Sequence, residues 1–170
     1  PFTLVEDVIQ ANDRRLGGLA ERVRRAAGHS VDGKRIGILG VSFKAETDDV
    51  RDAASLALIP ALQASGAQIA AYDPAAMKAG AALLSDVEWC DGPVAVANNA
   101  DALVILTEWN EFRGLDLRAI AGVMRTPVLV DFRNLYAPED VAGTPLAYHS
   151  VGRRPILPDL HLASRSSSQS

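Results

Sequence analysis

The sequence predicts an α/β protein with a Rossmann-like, doubly wound parallel sheet and a long N-terminal helix. Three observations carry this. Short, nearly uninterrupted apolar runs such as RIGIL, ALVIL and PVLV have the composition of strands buried on both faces. They alternate with stretches of helical periodicity, the pattern of βαβ units in a sheet covered by helices on both sides. The residues before 34 carry helical periodicity alone.

The opening stretch, TLVEDVIQANDRRLGGLAERVRRAAG, places Leu4, Val5, Val8, Ile9, Leu16, Leu19, Ala20 and Val23 at helical spacing. Thr3 and Glu6 have capping-box spacing, Gly28 is a natural stop, and Arg22, Arg24 and Arg25 suit the negative end of the helix dipole. Gly17 and Gly18 cost the helix about 1 kcal/mol each relative to alanine unless close packing requires them. A helix this long must pack on the following domain or on a partner.

Next come a strand over RIGILGV, an apolar helix over AASLALIPALQASG with a kink predicted at Pro60, and a strand over QIAAY with a turn at Asp73-Pro74. AAMKAGAALL reads as a helix, VEW as a short strand, and PVAVANNA as a helix starting at Pro93. The strand ALVILT, the helix LDLRAIAGVM, the strand PVLVDFR, the short helix PEDVA and a final strand within LAYHSVG complete the pattern. The chain divides into a helix at 1–28, a Rossmann-like domain at 29–153 and a polar tail at 154–170, expected to be disordered.

Composition limits the partners. The 170 residues are 48% hydrophobic and carry a net charge of −4, which argues against nucleic acid or an anionic membrane. An anionic ligand must therefore be held by a few local cations. The single cysteine, Cys90, permits no intrachain disulfide and fits a reducing compartment. With no apolar run of roughly 18 residues, the chain is expected to be cytoplasmic. His29, His149 and His161 lack metal-ligand spacing, so no metal site is expected.

Open α/β sheets bind ligands beyond the carboxyl ends of their strands, where strand order reverses. The residues found there are Ser42, Phe43 and Lys44 with Arg51; Asp73 and Pro74; Thr107, Glu108 and Trp109; and Phe132, Arg133 and Asn134. A lysine and two arginines suit a diphosphate, because arginine offers a bidentate fork and lysine a point charge. Phe43 offers a ring to a sugar or base. Against this, loop cations are usually solvated, and Asp48 and Asp49 suit capping the next helix or pairing with Arg51. Glu108 and Trp109 suit pinning a loop. Gly37 and Gly40 do not complete a G-x-G-x-x-G fingerprint, which disfavours a stand-alone NAD-binding domain.

FKAETDDVRDAAS, at 43–55, resembles the F-K-x-x-T-D-D-x-R-x-x-x-S signature of the UDP-glucose/GDP-mannose dehydrogenase family, in its C-terminal nucleotide-sugar-binding domain. GAQIAAYDP at 66–74, DALVILTEWNEF at 101–112, VLVDFRNLY at 128–136 and YHSVGR at 148–153 follow in the family's order. LVEDVIQANDRR looks like the second half of the family's long central helix. Thr107-Glu108-Trp109 is more similar to the UDP-glucose branch than to the GDP-mannose branch, and UDP-N-acetyl-hexosamine dehydrogenases share the domain. Ala45 and Ala54 stand where the family often has proline.

The resemblance implies a share in oxidising a sugar C6 alcohol to a carboxylate, with two hydride transfers to NAD. Phe43 and Lys44 would then contact the substrate, Arg133 its UDP portion, and Arg51 the phosphates of an NAD held mainly by an N-terminal domain. Neither that domain's glycine loop nor the G-G-x-C-F-P-K-D segment with the nucleophilic cysteine occurs in these residues. Cys90 sits in a different context, so no catalytic residue is expected here and the polypeptide is expected to be inactive alone. Homodimerisation through the N-terminal helix is also implied. Two other readings are a stand-alone nucleotide-binding regulatory module and an interaction domain with a vestigial site. In the latter, Lys44, Arg51 and Arg133 should not converge on one cleft.

Overall fold

The computed structural model describes residues 3–159, with side chains described from residue 14 onward. The Thr3–Glu6 capping box, the apolar positions Leu4, Val5, Val8 and Ile9, His161 and the SRSSSQS tail lie outside these descriptions. The elements are α1 (Thr3–Ala26), β1 (Arg35–Leu39), α2 (Ser55–Ala64), β2 (Gln68–Tyr72), α3 (Met77–Leu83), β3 (Val87–Trp89) and α4 (Pro93–Ala97). They continue with β4 (Ala102–Ile105), α5 (Asn110–Arg113), α6 (Leu117–Val123), β5 (Val128–Asp131), α7 (Pro138–Val141) and β6 (Ala147–Ser150).

All strand pairings are parallel, in the order β3-β2-β1-β4-β5-β6. Strand order therefore reverses between β1 and β4. The β4 and β5 residues are buried throughout, whereas the edge strand β3 is partly exposed, which explains why the central strands read as continuous apolar runs.

Alternation along the strands builds two cores. Ile36, Ile38, Val104 and Val130 face α1 and α2, packing with Val23, Leu58 and Leu62. Leu39, Leu103, Ile105 and Leu129 face the other way, toward Val96, Phe112 and Ile120. Gly37 lets α4 approach β1, since a Cβ there would fall 2.7 Å from Val96 Cγ1 and 3.1 Å from the Val96 carbonyl oxygen.

Helix α1 runs unbroken through Gly17 and Gly18, and an added Cβ at either would meet nothing within 4 Å among the described residues. Its end follows the Schellman pattern. Gly28, at φ +90°, donates its N–H to the Arg25 carbonyl, and His29 donates to that of Arg24. Ala20 and Val23 are buried against the sheet, so the carboxyl-terminal half of α1 packs on its own domain. Helix α2 continues through Pro60 as one ten-residue helix. Beyond β6, Ile156 and Tyr148 exchange two backbone hydrogen bonds in an antiparallel bridge. Among the described residues no helix is long and apolar enough to cross a membrane, and no group of three or more acidic, His or Cys side chains is placed to hold a metal.

Candidate functional site

The loop between β1 and α2 starts from a rigid base. Gly40, at φ +89°, packs so closely on Thr107 that a Cβ would lie 2.5 Å from the threonine Cβ. Thr107 donates its hydroxyl to the Ser42 carbonyl (3.0 Å), and Ser55 donates its own to the Val41 carbonyl (2.7 Å).

Asp73, at the end of β2 and fully buried, anchors the same residues. Its Oδ2 accepts from the Val41 N–H, the Ser42 N–H and the Ser42 hydroxyl at 2.8–3.0 Å, and its Oδ1 from the N–H groups of Ala75 and Ala76. Trp109 donates its indole N–H to Ser42 Oγ at 3.3 Å. The chain then leaves this platform at Phe43, which is 54% exposed. Its N–H donates to the Asp49 carbonyl at 2.7 Å and closes the loop on itself.

Strand β5 repeats the device. Asp131, also fully buried, accepts from the Arg133 N–H (2.9 Å), the Leu135 N–H (2.7 Å) and the Tyr148 hydroxyl (2.7 Å). Burial, with the Asp131 contact second, pushes the Tyr148 phenol well above its ordinary pKa. Arg133 projects from this clamp and pairs with Glu108 Oε1 at 2.6 Å, both side chains being partly exposed. Asn134, in the left-handed region at φ +51°, exchanges two hydrogen bonds with the backbone of Val151.

Phe43 and Arg133 line one cleft of about 490 Å³, with Ser42 and Phe132 on its floor side. Helix α1 also lines the cleft, contributing Arg14, Arg15 and Arg22. Sequence reasoning assigned Arg22 to the helix dipole and gave Arg14 and Arg15 no role. The available signal was spacing: Arg15 and Arg22 are two helical turns apart and so share a face.

The other predicted site residues do not join this cleft. Lys44 follows Phe43 in the chain but is exposed and does not line it. Arg51 is 85% exposed and clasped by Asp49 through Nε–Oδ1 (3.0 Å) and Nη2–Oδ2 (2.8 Å). Hydrogen bonds from Arg51, side chain first and backbone second, lower the Asp49 carboxyl to about 2. Asp49 thus pairs with Arg51 and does not cap α2, whose N-cap Ala54 has no side-chain bond. Of Lys44, Arg51 and Arg133, only Arg133 enters the cleft, so the three cations do not converge, which is the arrangement expected of an interaction domain. A nucleotide site here has to rest on Arg133 and Phe43 together with other cations of the cleft.

The described residues do not form a dinucleotide cradle. Gly37 is filled in by helix packing, Gly40 by Thr107, and the Asp73 carboxylate already accepts five hydrogen bonds while buried. It has no free edge for a ribose. Cys90 lies buried beyond β3, outside the cleft, and burial raises its thiol pKa.

Comparison with known proteins identifies the family. Residues 37–138 match the model of the UDP-glucose/GDP-mannose dehydrogenase family, UDP binding domain. The chain is 42% identical over 153 residues to the UDP-glucose 6-dehydrogenase of Rhizobium meliloti (strain 1021), covering 90% of this chain and 35% of that one. It is 38% identical over 154 residues to UDP-glucose 6-dehydrogenase TuaD of Bacillus subtilis (strain 168), covering 90% and 33%. A solved UDP-glucose dehydrogenase from the hyperthermophilic archaeon Pyrobaculum islandicum superposes with a TM-score of 0.64 at 29% identity, over 88% of this chain and 32% of that one. The chain spans about a third of the length of the curated relatives it matches.

Proposed function

The chain belongs to the UDP-glucose/GDP-mannose dehydrogenase family, and from that membership we propose that residues 29–153 hold the UDP portion of UDP-glucose in an NAD-dependent UDP-glucose 6-dehydrogenase. The supporting observation is that two separately clamped loops deliver Phe43 and Arg133 to one cleft beside the switch in strand order. Arg133 supplies a guanidinium fork for a phosphate oxygen, and Phe43 an apolar face for a sugar or base. Lys44, exposed next to Phe43 but outside the cleft lining, is assigned to the substrate by the family's motif alone.

The complete reaction removes two hydrides from the C6 alcohol and takes up one water to give the carboxylate. NAD, held mainly by another domain, would supply the hydride acceptor. The residues here bind and orient the substrate and supply no nucleophile. Arg51, exposed, held by Asp49 and outside the cleft lining, would meet the phosphates of an NAD carried by another domain. Two copies associate through α1.

Calorimetric titration with UDP tests the assignment. Wild type should bind, weakly because only part of the cleft is present, and Arg133→Ala should bind about tenfold or more weaker, the worth of a charge-assisted hydrogen bond. Equal binding by both proteins would remove Arg133 from the site.

A further inference from the structure

We infer that the diphosphate is gripped from the helix side as well, by Arg15 and Arg22 of α1; this rests on the nucleotide-sugar reading above. The charge inventory points there. Arg24 and Arg25 are paired with Glu21, Arg51 with Asp49, and Arg133 with Glu108. Arg15 and Arg22 also reach the surface, yet among the described residues neither has a hydrogen-bond or ion-pair partner; Lys44, Lys78, Arg113 and Arg154 share that property but do not line the cleft. Both line the same cleft as Arg133, where Arg14 adds to the positive charge and Asp52 is the acidic side chain among the described lining residues.

Like charges crowded on one helix face repel, and a chain of net charge −4 has no general need to gather cations there. A polyvalent anion in the cleft relieves that repulsion. The two guanidinium groups spring from positions about 10 Å apart along the helix, so they can address the two ends of an extended diphosphate while Arg133 meets it from the sheet side. Planar forks suit phosphate oxygens, whereas a neutral uridine or hexose has nothing to match them. The ligand class is therefore a nucleoside diphosphate, with affinity carried by the phosphates.

The test compares UDP, uridine and inorganic pyrophosphate, titrated into the full chain and followed by backbone amide NMR. The double variant Arg15→Gln/Arg22→Gln should weaken UDP and pyrophosphate about tenfold or more, leave uridine unchanged, and flatten the salt dependence of UDP binding. Arg25→Gln, which changes a paired arginine outside the cleft, should leave UDP binding as in wild type. Unchanged UDP affinity in the double variant, with Arg133→Ala impaired, would overturn the helix-side grip and leave the nucleotide-sugar reading standing. Absence of UDP binding by wild type would overturn both. Equal weakening of uridine and UDP would also contradict the inference, because it would place the arginines away from the phosphates. All of these side chains are exposed, so the variants should keep the wild-type amide spectrum outside the site.

Discussion

Asp73 and Asp131 do the same work at two strand ends: each is fully buried and each fixes the backbone from which a proposed ligand-binding side chain departs. In Asp131→Ala, the Arg133 and Leu135 N–H groups and the Tyr148 hydroxyl lose this acceptor. We expect a loss of about 3 kcal/mol or more in urea unfolding. Tyr148→Phe removes one donor from the same cluster and should cost about 1 kcal/mol. Equal effects from the two changes would mean that the carboxylate is not the hub. Both aspartates were visible in the sequence as residues ending apolar runs, but their burial was not, because a periodicity argument places polar residues outside the core. Phe43 and Arg133 were legible from their position after a strand. Arg15 was not, because an arginine on a helix has the same appearance whether it faces water or a cleft. A further residue-level test concerns His149, whose half-buried imidazole lies near Arg22, Arg25 and Asp131 and is held by desolvation below its ordinary pKa of 6.5. Below that pH the unfolded state binds more protons, so this contribution is full above about pH 6.5 and is lost as pH falls through the depressed value. Between about pH 7.5 and about pH 5.5, wild type should lose more stability to urea than His149→Gln. Identical losses would remove His149 from the pH response.

Most elements were readable because alternating apolar runs and helical periodicity report burial, and burial here follows the sheet closely. Strands expected to run through Val41, Thr107 and Arg133 instead end at Leu39, Ile105 and Asp131, where the chain leaves the ladder to build the ligand loops. Helix α5 was not separated from the preceding strand motif, since Asn110–Arg113 is a single turn with too little length to show a period. The glycines divide by packing. Among the described residues nothing lies within 4 Å of a Cβ at Gly17, so Gly17→Ala should raise stability by about 0.5–1 kcal/mol, seen as a higher melting temperature. A fall on that substitution, accompanied by loss of a dimer in light scattering, would place the proposed α1 contact between two copies at Gly17 itself. Gly37→Ala drives a methyl into Val96 and Leu103 and should cost about 1–3 kcal/mol.

At the scale of the molecule, an acidic protein concentrates arginines on one cleft at the reversal of its sheet, while the glycines that look like a dinucleotide loop are occupied by packing. That combination fits the substrate half of a two-domain dehydrogenase, and it limits what 170 residues can do. The purified polypeptide should form no NADH from UDP-glucose and NAD; turnover by a preparation free of other dehydrogenases would show a cofactor site outside the cleft geometry described. The central claim is the location of the nucleotide. Titrating the isotope-labelled chain with UDP and following its backbone amides measures that location directly. The predicted result is saturable shifts centred on Phe43, Arg133, Val151 and Gly18, which all border the cleft. Shifts confined to the β3 and α4 edge, or none at millimolar UDP, would contradict it.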